Sequence, residues 1–384
     1  TIRYEYNAMN QRIKTLFPDG TFITVISNAN GKTQSQTDQA GLTTRYTHDP
    51  LNRLVKVTDR LGGETHFSYD EVGNKISQRD ANSQTTFWIY DSLGRVLSRT
   101  LPLGMMESFS YGPTSALDSY TDFNGQTSTF SYDSNGRLKE RVYADGTQES
   151  YTYNPVGNRT EVITSEGTTH YSYDNRHRLV TEIRPDLTVL EYGYDSLGNR
   201  RLFRLTPPTG LALEVQYHYD SNNRLQSVTA PEGSQTIYSY SPVGNLQQVN
   251  YPNGTQTVYS YDNNGRLLEV HHQRADLSTI ARYQYTLAPT GHRTQVIDHN
   301  GRTVNYRYDK LYRLTEEKIT LNEGAERVFS YQYDSVGNRL LSVDHGVQTP
   351  YAYDANDRLL KRGNTEYQYD AQGNTLKVQE GQQV

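Results

Sequence analysis

Over much of the chain, aromatic or β-branched positions alternate with small or polar ones for five or six residues and then stop at a short polar break. Tyr151 and Tyr153 flank Thr152, Tyr171 and Tyr173 flank Ser172, Tyr238 and Tyr240 flank Ser239, and Tyr331 and Tyr333 flank Gln332. A period of two puts each Tyr pair on one face of a strand and the residue between them on the other. The pattern predicts short strands with one Tyr-lined face and one hydrophilic face. No helical period of useful length is present. The strands that follow are less regular. In Arg224-Leu225-x-x-Val228 and Arg266-Leu267-x-x-Val270 the apolar residues stand three apart, which predicts a bulge or a strand that starts after the leucine.

The pattern repeats. Taking the second Tyr of each Tyr-x-Tyr-Asp-like segment as a marker gives Tyr6, then Ser27 and His48 as substituted copies. Tyr69, Tyr90, Tyr111, Tyr132, Tyr153, Tyr173, Tyr194, Tyr219, Tyr240, Tyr261, Tyr285, Tyr308, Tyr333, Tyr353 and Tyr369 follow. Every step from Tyr6 to Tyr153 is 21 residues, and later steps run from 16 to 25. A fixed period sustained over this length identifies a repeat architecture. Each unit holds two turn signals. The first follows the marker, where Asp or Asn stands next in 15 of 18 copies and Gly, Asn or Asp four residues on in 14. Those side chains start turns and tolerate positive φ. Its best-formed copies are expected to be structural markers of the repeat: Tyr69-Asp70 with Gly73, Tyr90-Asp91 with Gly94, Tyr132-Asp133 with Gly136, and Tyr153 with Gly157. Tyr194-Asp195 with Gly198, Tyr261-Asp262 with Gly265, and Tyr333-Asp334 with Gly337 complete the set. The second signal is Asp19-Gly20, Asn124-Gly125, Asp145-Gly146, Glu166-Gly167, Asn253-Gly254 or Asn300-Gly301, each between β-prone runs, as in a hairpin.

Two strands per unit make about 36 strands, and a single sheet of that many would extend roughly 170 Å, so the ribbon is expected to coil. With contacts only between neighbours it would behave as a solenoid. The irregular steps after Tyr194 predict longer hairpin tips, at Thr206–Gly210 and at His271–Ile280. No linker divides the array, and the expected organisation is one continuous repeat region over 1–384 with no separate catalytic domain.

Composition sharpens this. Hydrophobic residues are 34% of the chain and mean hydropathy is −0.82, values that suit disorder, yet 33 residues are Tyr. Disordered segments are poor in aromatics; the expectation is a folded β protein with a thin core. With 38 Lys and Arg against 43 Asp and Glu, the formal charge is −5, which argues against nucleic acid as the main partner. The absence of Cys excludes disulfides, thiol catalysis and thiolate zinc sites. No apolar run approaches the ~18 residues of a membrane helix. The chain starts without a secretory signal pattern, so an export signal is expected outside this stretch or of another type.

Tyr-Asp-x-x-Gly-Arg-Leu at 132–138 and 261–267, and with Val for Leu at 90–96, each closed by an Asp-Gly-type turn, resembles the RHS or YD repeat. The resemblance covers essentially the whole chain. It implies an all-β spiral of hairpins forming all or part of a hollow shell, as in bacterial Rhs polymorphic toxins, the B and C components of Tc toxins and, more distantly, teneurins. The implied function is to enclose and protect a C-terminal toxin domain until delivery. The implied partners are that cargo, further shell segments of the same or another chain, and components of a secretion apparatus. The implied setting is outside a producing bacterium or on its surface. The shell-closing Asp-Pro-x-Gly-Leu motif of Rhs proteins has only a partial counterpart in Asp49-Pro50-Leu51-Asn52, inside an ordinary repeat. The chain is therefore expected to be a piece of a larger shell.

Candidate chemistry is sparse. The Asp residues after the marker recur at every turn, which favours a structural role over a catalytic pair with divergent pKa values. His271 and His272 with Asp276 nearby form the one local His cluster, read as a solvated loop. Arg53, Arg95, Arg137, Arg224, Arg266, Arg313 and Arg358 recur five residues after the marker and are expected to make a ladder against neighbouring acids or Tyr rings. No catalytic residue, cofactor or metal ligand is assigned. A competing reading is an adhesion module binding carbohydrate or protein through an exposed Tyr face.

Overall fold

The computed structural model describes residues 1–322 and 324–381; the final residues of the expected 1–384 array lie outside this range. Among the described residues there are thirty-six strands, from β1 (Arg3–Tyr6) to β36 (Thr375–Glu380), and no helix. Consecutive strands pair antiparallel, as in Tyr151↔Val162 and Val162↔Thr169. Contacts group the chain into two compact units. Unit 1 is Thr1–Ser108, Ser260–Val270 and Ala281–Val384, and unit 2 is Phe109–Tyr259 and His271–Ile280.

The Tyr-Asp turn is a three-residue hairpin loop. At 91–95 the Asp91 N–H donates to the Arg95 carbonyl (2.9 Å) and the Gly94 N–H to the Asp91 carbonyl (3.0 Å), with Gly94 at φ 75°. This is a type I turn followed by one left-handed residue. Most Asx-Gly turns close identically, as at 122–126. Immediately after the Tyr-Asp turn the pairing slips by one residue. Tyr219 faces Leu225 while His218 faces Ser227, so Gln226 is the extra residue of a bulge. Of the two readings of the Arg-Leu-x-x-Val segments, the bulge is correct here, because the strand β22 (Leu225–Thr229) starts at the leucine itself.

Two sequence expectations are corrected. The bulge after Thr286 pairs Leu287 with Arg293, and the left-handed residue four positions on is Gly291. The marker position of that repeat is therefore Leu287, and Tyr285 sits two residues early on the same face. With this change a positive-φ residue occupies the same place in every repeat, including Ser115, His177 and Tyr312. His271 and His272 lie within β26 (Leu267–Gln273), not in a loop tip. The inserted residues there lengthen the hairpin, since β27 (Thr279–Leu287) has nine residues.

The core is thin because one sheet layer leaves most side chains partly open. Leu190, Val249 and Val304 are the buried hydrophobic residues among those described. Within unit 1 packing is not confined to sequence neighbours. The Asn82 amide donates to Asp334 Oδ2 (2.9 Å), Arg266 Nη2 to Asp19 Oδ2 (3.0 Å), the Tyr312 hydroxyl to Asp38 Oδ2 (2.5 Å), and the Leu103 N–H to Asn356 Oδ1 (3.2 Å). Residues 19, 38, 82 and 103 belong to Asx-Gly-type turns, and 266, 312, 334 and 356 to Tyr-Asp-type turns. One edge of the earlier ribbon thus lies against the opposite edge of a stretch about 250 residues later, which the nearest-neighbour expectation did not include.

Candidate functional site, a row of clasps along the Tyr-Asp edge

Each Tyr-Asp turn organises its own loop and then grips the next repeat. Asp133 Oδ1 accepts the N–H groups of Asn135 (2.9 Å) and Arg137 (3.0 Å), and its Oδ2 accepts from Arg137 Nε (2.7 Å). The other side of the Arg137 guanidinium reaches forward. Its Nη1 donates to the Asn154 carbonyl of the next turn (3.1 Å), and the group lies 4.8 Å from the centre of the Tyr153 ring. Tyr153 then reaches back, its hydroxyl donating to the Leu138 carbonyl at 2.8 Å. Leu138 is the residue opposite the Tyr132 marker at the bulge. A bulge disrupts ladder bonding, and a buried carbonyl without a partner is costly. The tyrosine of the following repeat supplies the missing donor.

The same three-part contact recurs. Arg53, Arg178, Arg224, Arg313 and Arg358 bind their own turn carboxylates and donate to the carbonyls of Asp70, Asp195, Ser241, Asp334 and Asp370. Their guanidinium groups lie 4.5–5.5 Å from the rings of Tyr69, Tyr194, Tyr240, Tyr333 and Tyr369. Tyr69, Tyr132, Tyr194 and Tyr333 donate to the carbonyls of Leu54, Leu117, Leu179 and Leu314, and Tyr90 to that of Lys75. Where Asn replaces Arg, as at Asn74, Asn199 and Asn338, its amide still binds Asp70, Asp195 and Asp334 within the turn. Asp91 and Asp262 hold Arg95 and Arg266 at 2.6 Å. Gly73, Gly136, Gly157, Gly198, Gly265 and Gly337 take the left-handed position beside Gly94.

These contacts fix the charge state of the row. The side-chain bond from Arg178 and then the Arg178 N–H hold the Asp174 carboxyl down to about 2. For Asp91 and Asp133 the backbone N–H of the turn Arg is the main cause of a downward shift. Burial pushes the Tyr90, Tyr240 and Tyr261 phenols up, so they remain protonated donors. Tyr151 is pushed up to about 12 by burial and by its bond to Glu149. Carboxylates held low and phenols held high are both far from the neutral-pH range that proton transfer requires. The arrangement does mechanical work: it ties repeat to repeat.

Arg178 belongs to the row although the sequence list of turn arginines omits it; it closes the turn 174–178 five residues after Tyr173, as the others do after their markers. The phenol-to-bulge bond was also missed: its acceptor is the main-chain carbonyl of the residue after the turn, which is Leu138 for Tyr153 but Lys75 for Tyr90 and Arg159 for Tyr173. His271 Nε2 meets Thr279 Oγ1 and His272 Nδ1 meets the fully buried Thr257 hydroxyl, each at 2.9 Å, so the pair is divided between two contacts. Among the described residues no group of three or more His, Cys, Asp or Glu could hold a metal ion. No helix long and apolar enough to cross a membrane is present among them either.

The family model described as Teneurin YD-shell matches residues 1–196 and 290–383, and that of the RHS Repeat matches 219–256 and 240–276. The chain belongs to the Teneurin YD-shell family. The YD-shell fold is shared with solved Tc toxin structures. The TcdB2-TccC3-Cdc42 crystal structure superposes with a TM-score of 0.67 at 13% identity, and TcdB2-TccC3-TEV with 0.63 at 14%. A mutant Tc holotoxin pore of Photorhabdus luminescens gives 0.63 at 14%. Each alignment covers 100% of this chain and 26% of the other, so the chain spans about a quarter of the length of those proteins. At such identities the likeness is one of fold. A comparison with curated protein sequences gives no match.

Proposed function

We propose that this YD-repeat region is wall material of an Rhs- or Tc-type shell that encloses a C-terminal toxin segment, in a protein exported by a bacterium. The observation that carries the reading is the edge-to-edge contact in unit 1. There Asp19, Asp38, Asn82 and Leu103 of one ribbon bind Arg266, Tyr312, Asp334 and Asn356 of another. A ribbon whose turns bind those of a later stretch makes a continuous surface across the seam. The fold likeness to Tc toxin structures supports the same reading. The role is passive, without an enzymatic step, cofactor or metal, and 1–384 acts as one structural array together with further shell segments and the cargo. The seven marker sets from Tyr69 to Gly337 hold that array together. Delivery through a secretion apparatus follows from the family likeness.

The adhesion reading needs tyrosines free to meet a ligand. In the clasps the Tyr hydroxyls are already donating to main-chain carbonyls and the rings lie under arginines, which favours the wall. A cryo-EM map of the full-length parent protein tests the proposal. Density enclosed by a closed wall, together with protection of the C-terminal segment from added protease, is the expected result. An open ribbon with a protease-sensitive C-terminal segment would overturn it.

A further inference from the structure

The repeat has two places for a cation and no copy fills both. In eight repeats the turn after the marker closes with Arg and the next residue is Leu or Val, as in Arg137-Leu138 and Arg313-Leu314. In six others the turn closes with Gln, Asn or His, and the cation comes one residue later. These later cations are Arg12, Lys75, Arg159, Arg200, Arg293 and Arg339.

The shift of one residue changes the chemistry. Each turn Arg is neutralised by the Asp of its own turn. The later position stands opposite the marker instead, as Arg159 does to Tyr153 and Arg200 to Tyr194. Directly opposed residues share a face, so these cations stand on the Tyr face. Arg159 lies 5.1 Å from the centre of the Tyr171 ring and Arg200 4.9 Å from that of Tyr217. Among the described residues none of the six makes an ion pair.

A ring takes up one face of a guanidinium and leaves its N–H donors for acceptors in the plane. Arg200 Nη2 reaches only the Tyr217 hydroxyl, at 3.4 Å, and the Arg159 side chain makes no hydrogen bond among the described residues. Both side chains are exposed. The acids that share their face in unit 2 are already engaged: Glu149 accepts the Tyr151 hydroxyl, and Glu182 pairs with Arg184 at 2.9 Å. Arg159 and Arg200 come from repeats two apart, four strand spacings or about 19 Å. An extended chain covers that distance in about six residues.

We propose that the Tyr face of unit 2, at Arg159 and Arg200, binds an acidic extended stretch of the segment that the wall encloses. Two carboxylates about six residues apart each meet one guanidinium, in charge-assisted hydrogen bonds. The source of that stretch rests on the wall reading; its charge rests on the two unpaired cations. The Tyr face is then the inner one.

Fluorescence anisotropy with the purified chain tests the chemistry, using a labelled eight-residue peptide of alternating Glu and Gly. Saturable binding at low salt is expected, weakened about tenfold in Arg159→Gln/Arg200→Gln, as for the loss of two charge-assisted contacts. Arg307→Gln, between Tyr306 and Tyr308 and so on the opposite face, should bind as the parent does. The matching Gln-Gly peptide should not bind. Circular dichroism should be unchanged, because the substituted side chains are exposed. No saturable binding, or binding that survives the double substitution, would overturn the proposal. In the full-length parent protein, Arg200→Lys supplies an amine that carbodiimide can join to a nearby carboxylate. The expected product links residue 200 to an Asp or Glu of the C-terminal segment. A link only to acids of the repeats would overturn the inference even where density fills the wall. An open, empty parent that still binds the peptide would remove the wall reading, and this occupant with it.

Discussion

The Tyr153 hydroxyl donates to the Leu138 carbonyl at 2.8 Å, joining the marker of one repeat to the bulge of the one before. Tyr153→Phe removes that donor and leaves the ring under Arg137. A hydrogen bond of this kind contributes about 1 kcal/mol net, and leaving its partially buried acceptor unpaired costs about as much again. The expected outcome is a local loss of ~1–2 kcal/mol, read as faster amide exchange in the hairpin containing Leu138. Exchange as slow as in the parent would show that water satisfies the carbonyl equally well.

Arg137 couples Asp133 to that tyrosine, and the coupling can be measured. In a double-mutant cycle of Arg137→Gln with Tyr153→Leu, the two losses should fall short of additivity by about 0.5–1 kcal/mol, the range for a cation over a partly exposed ring. Additive losses would reduce Arg137 to a partner of its own turn. A charge-preserving Arg137→Lys should recover little, since an ammonium lacks the fork that reaches Asp133 and Asn154 together.

His177 holds a left-handed conformation at φ 62°, where most repeats have glycine. A side chain there costs roughly 1–2 kcal/mol. His177→Gly should therefore stabilise its hairpin, less the exposed contact of His177 Nδ1 with the Asn158 amide. Thermal unfolding compared with the parent checks the sign. A lower midpoint in the variant would mean that the Asn158 contact outweighs the backbone strain.

Much of this architecture is legible in the sequence, and the limits are physical. The alternation around Tyr151 and Tyr153 and the fixed step between markers reveal strands, turns and repeat number, because these depend on residues close together in the chain. The bulge at Leu225 showed as broken alternation. Leu287 escaped because the Tyr285 ring occupies the same face two residues earlier and satisfies a pattern based on aromatics. The clasp was half legible: turn arginines near acids and rings were expected, but the phenol-to-carbonyl bond leaves no mark in side-chain identity. The contact of Asp38 with Tyr312 joins residues far apart in the chain, and no local pattern encodes it.

The turn carboxylates set the response to acid. Asp174 is held down to about 2 from its ordinary value of 3.8. A depressed carboxyl contributes stability that is fully present above its unfolded value, and the contribution disappears as pH falls through the folded value. Stability from the Asp174 clasp should thus be flat above about pH 4 and decline between about pH 4 and pH 2. Asp174→Asn should lower stability at neutral pH and flatten that part of the acid limb, seen in denaturant midpoints measured across the range. A limb unchanged in slope would assign the acid response to other groups.

The contact between Asp38 and Tyr312 makes two turns in unit 1 answer for each other. Asp38 is 7% exposed and takes the Tyr312 hydroxyl at 2.5 Å and Arg60 Nη2 at 3.0 Å, while its Oδ1 orders the N–H groups of Ala40 and Leu42. Arg60 lies 4.9 Å from the centre of the Tyr312 ring, and His292 stacks on the same ring at 4.3 Å. Tyr312→Phe keeps both ring contacts and removes the hydroxyl that donates to Asp38 and meets the Thr290 side chain. In an array coupled only through neighbours, the change would be felt near residue 312 and nowhere near residue 40. With the edge contact it should also speed exchange at Ala40 and Leu42, by about tenfold if the bond contributes ~1.4 kcal/mol, close to the lower end for a hydrogen bond to a charged group. Tyr312→Gly should go further: it relieves the left-handed backbone at φ 64° yet loses the ring, and the loss of the ring should dominate. Unchanged exchange at Ala40 in both variants would leave the ribbon edges adjacent but energetically separate.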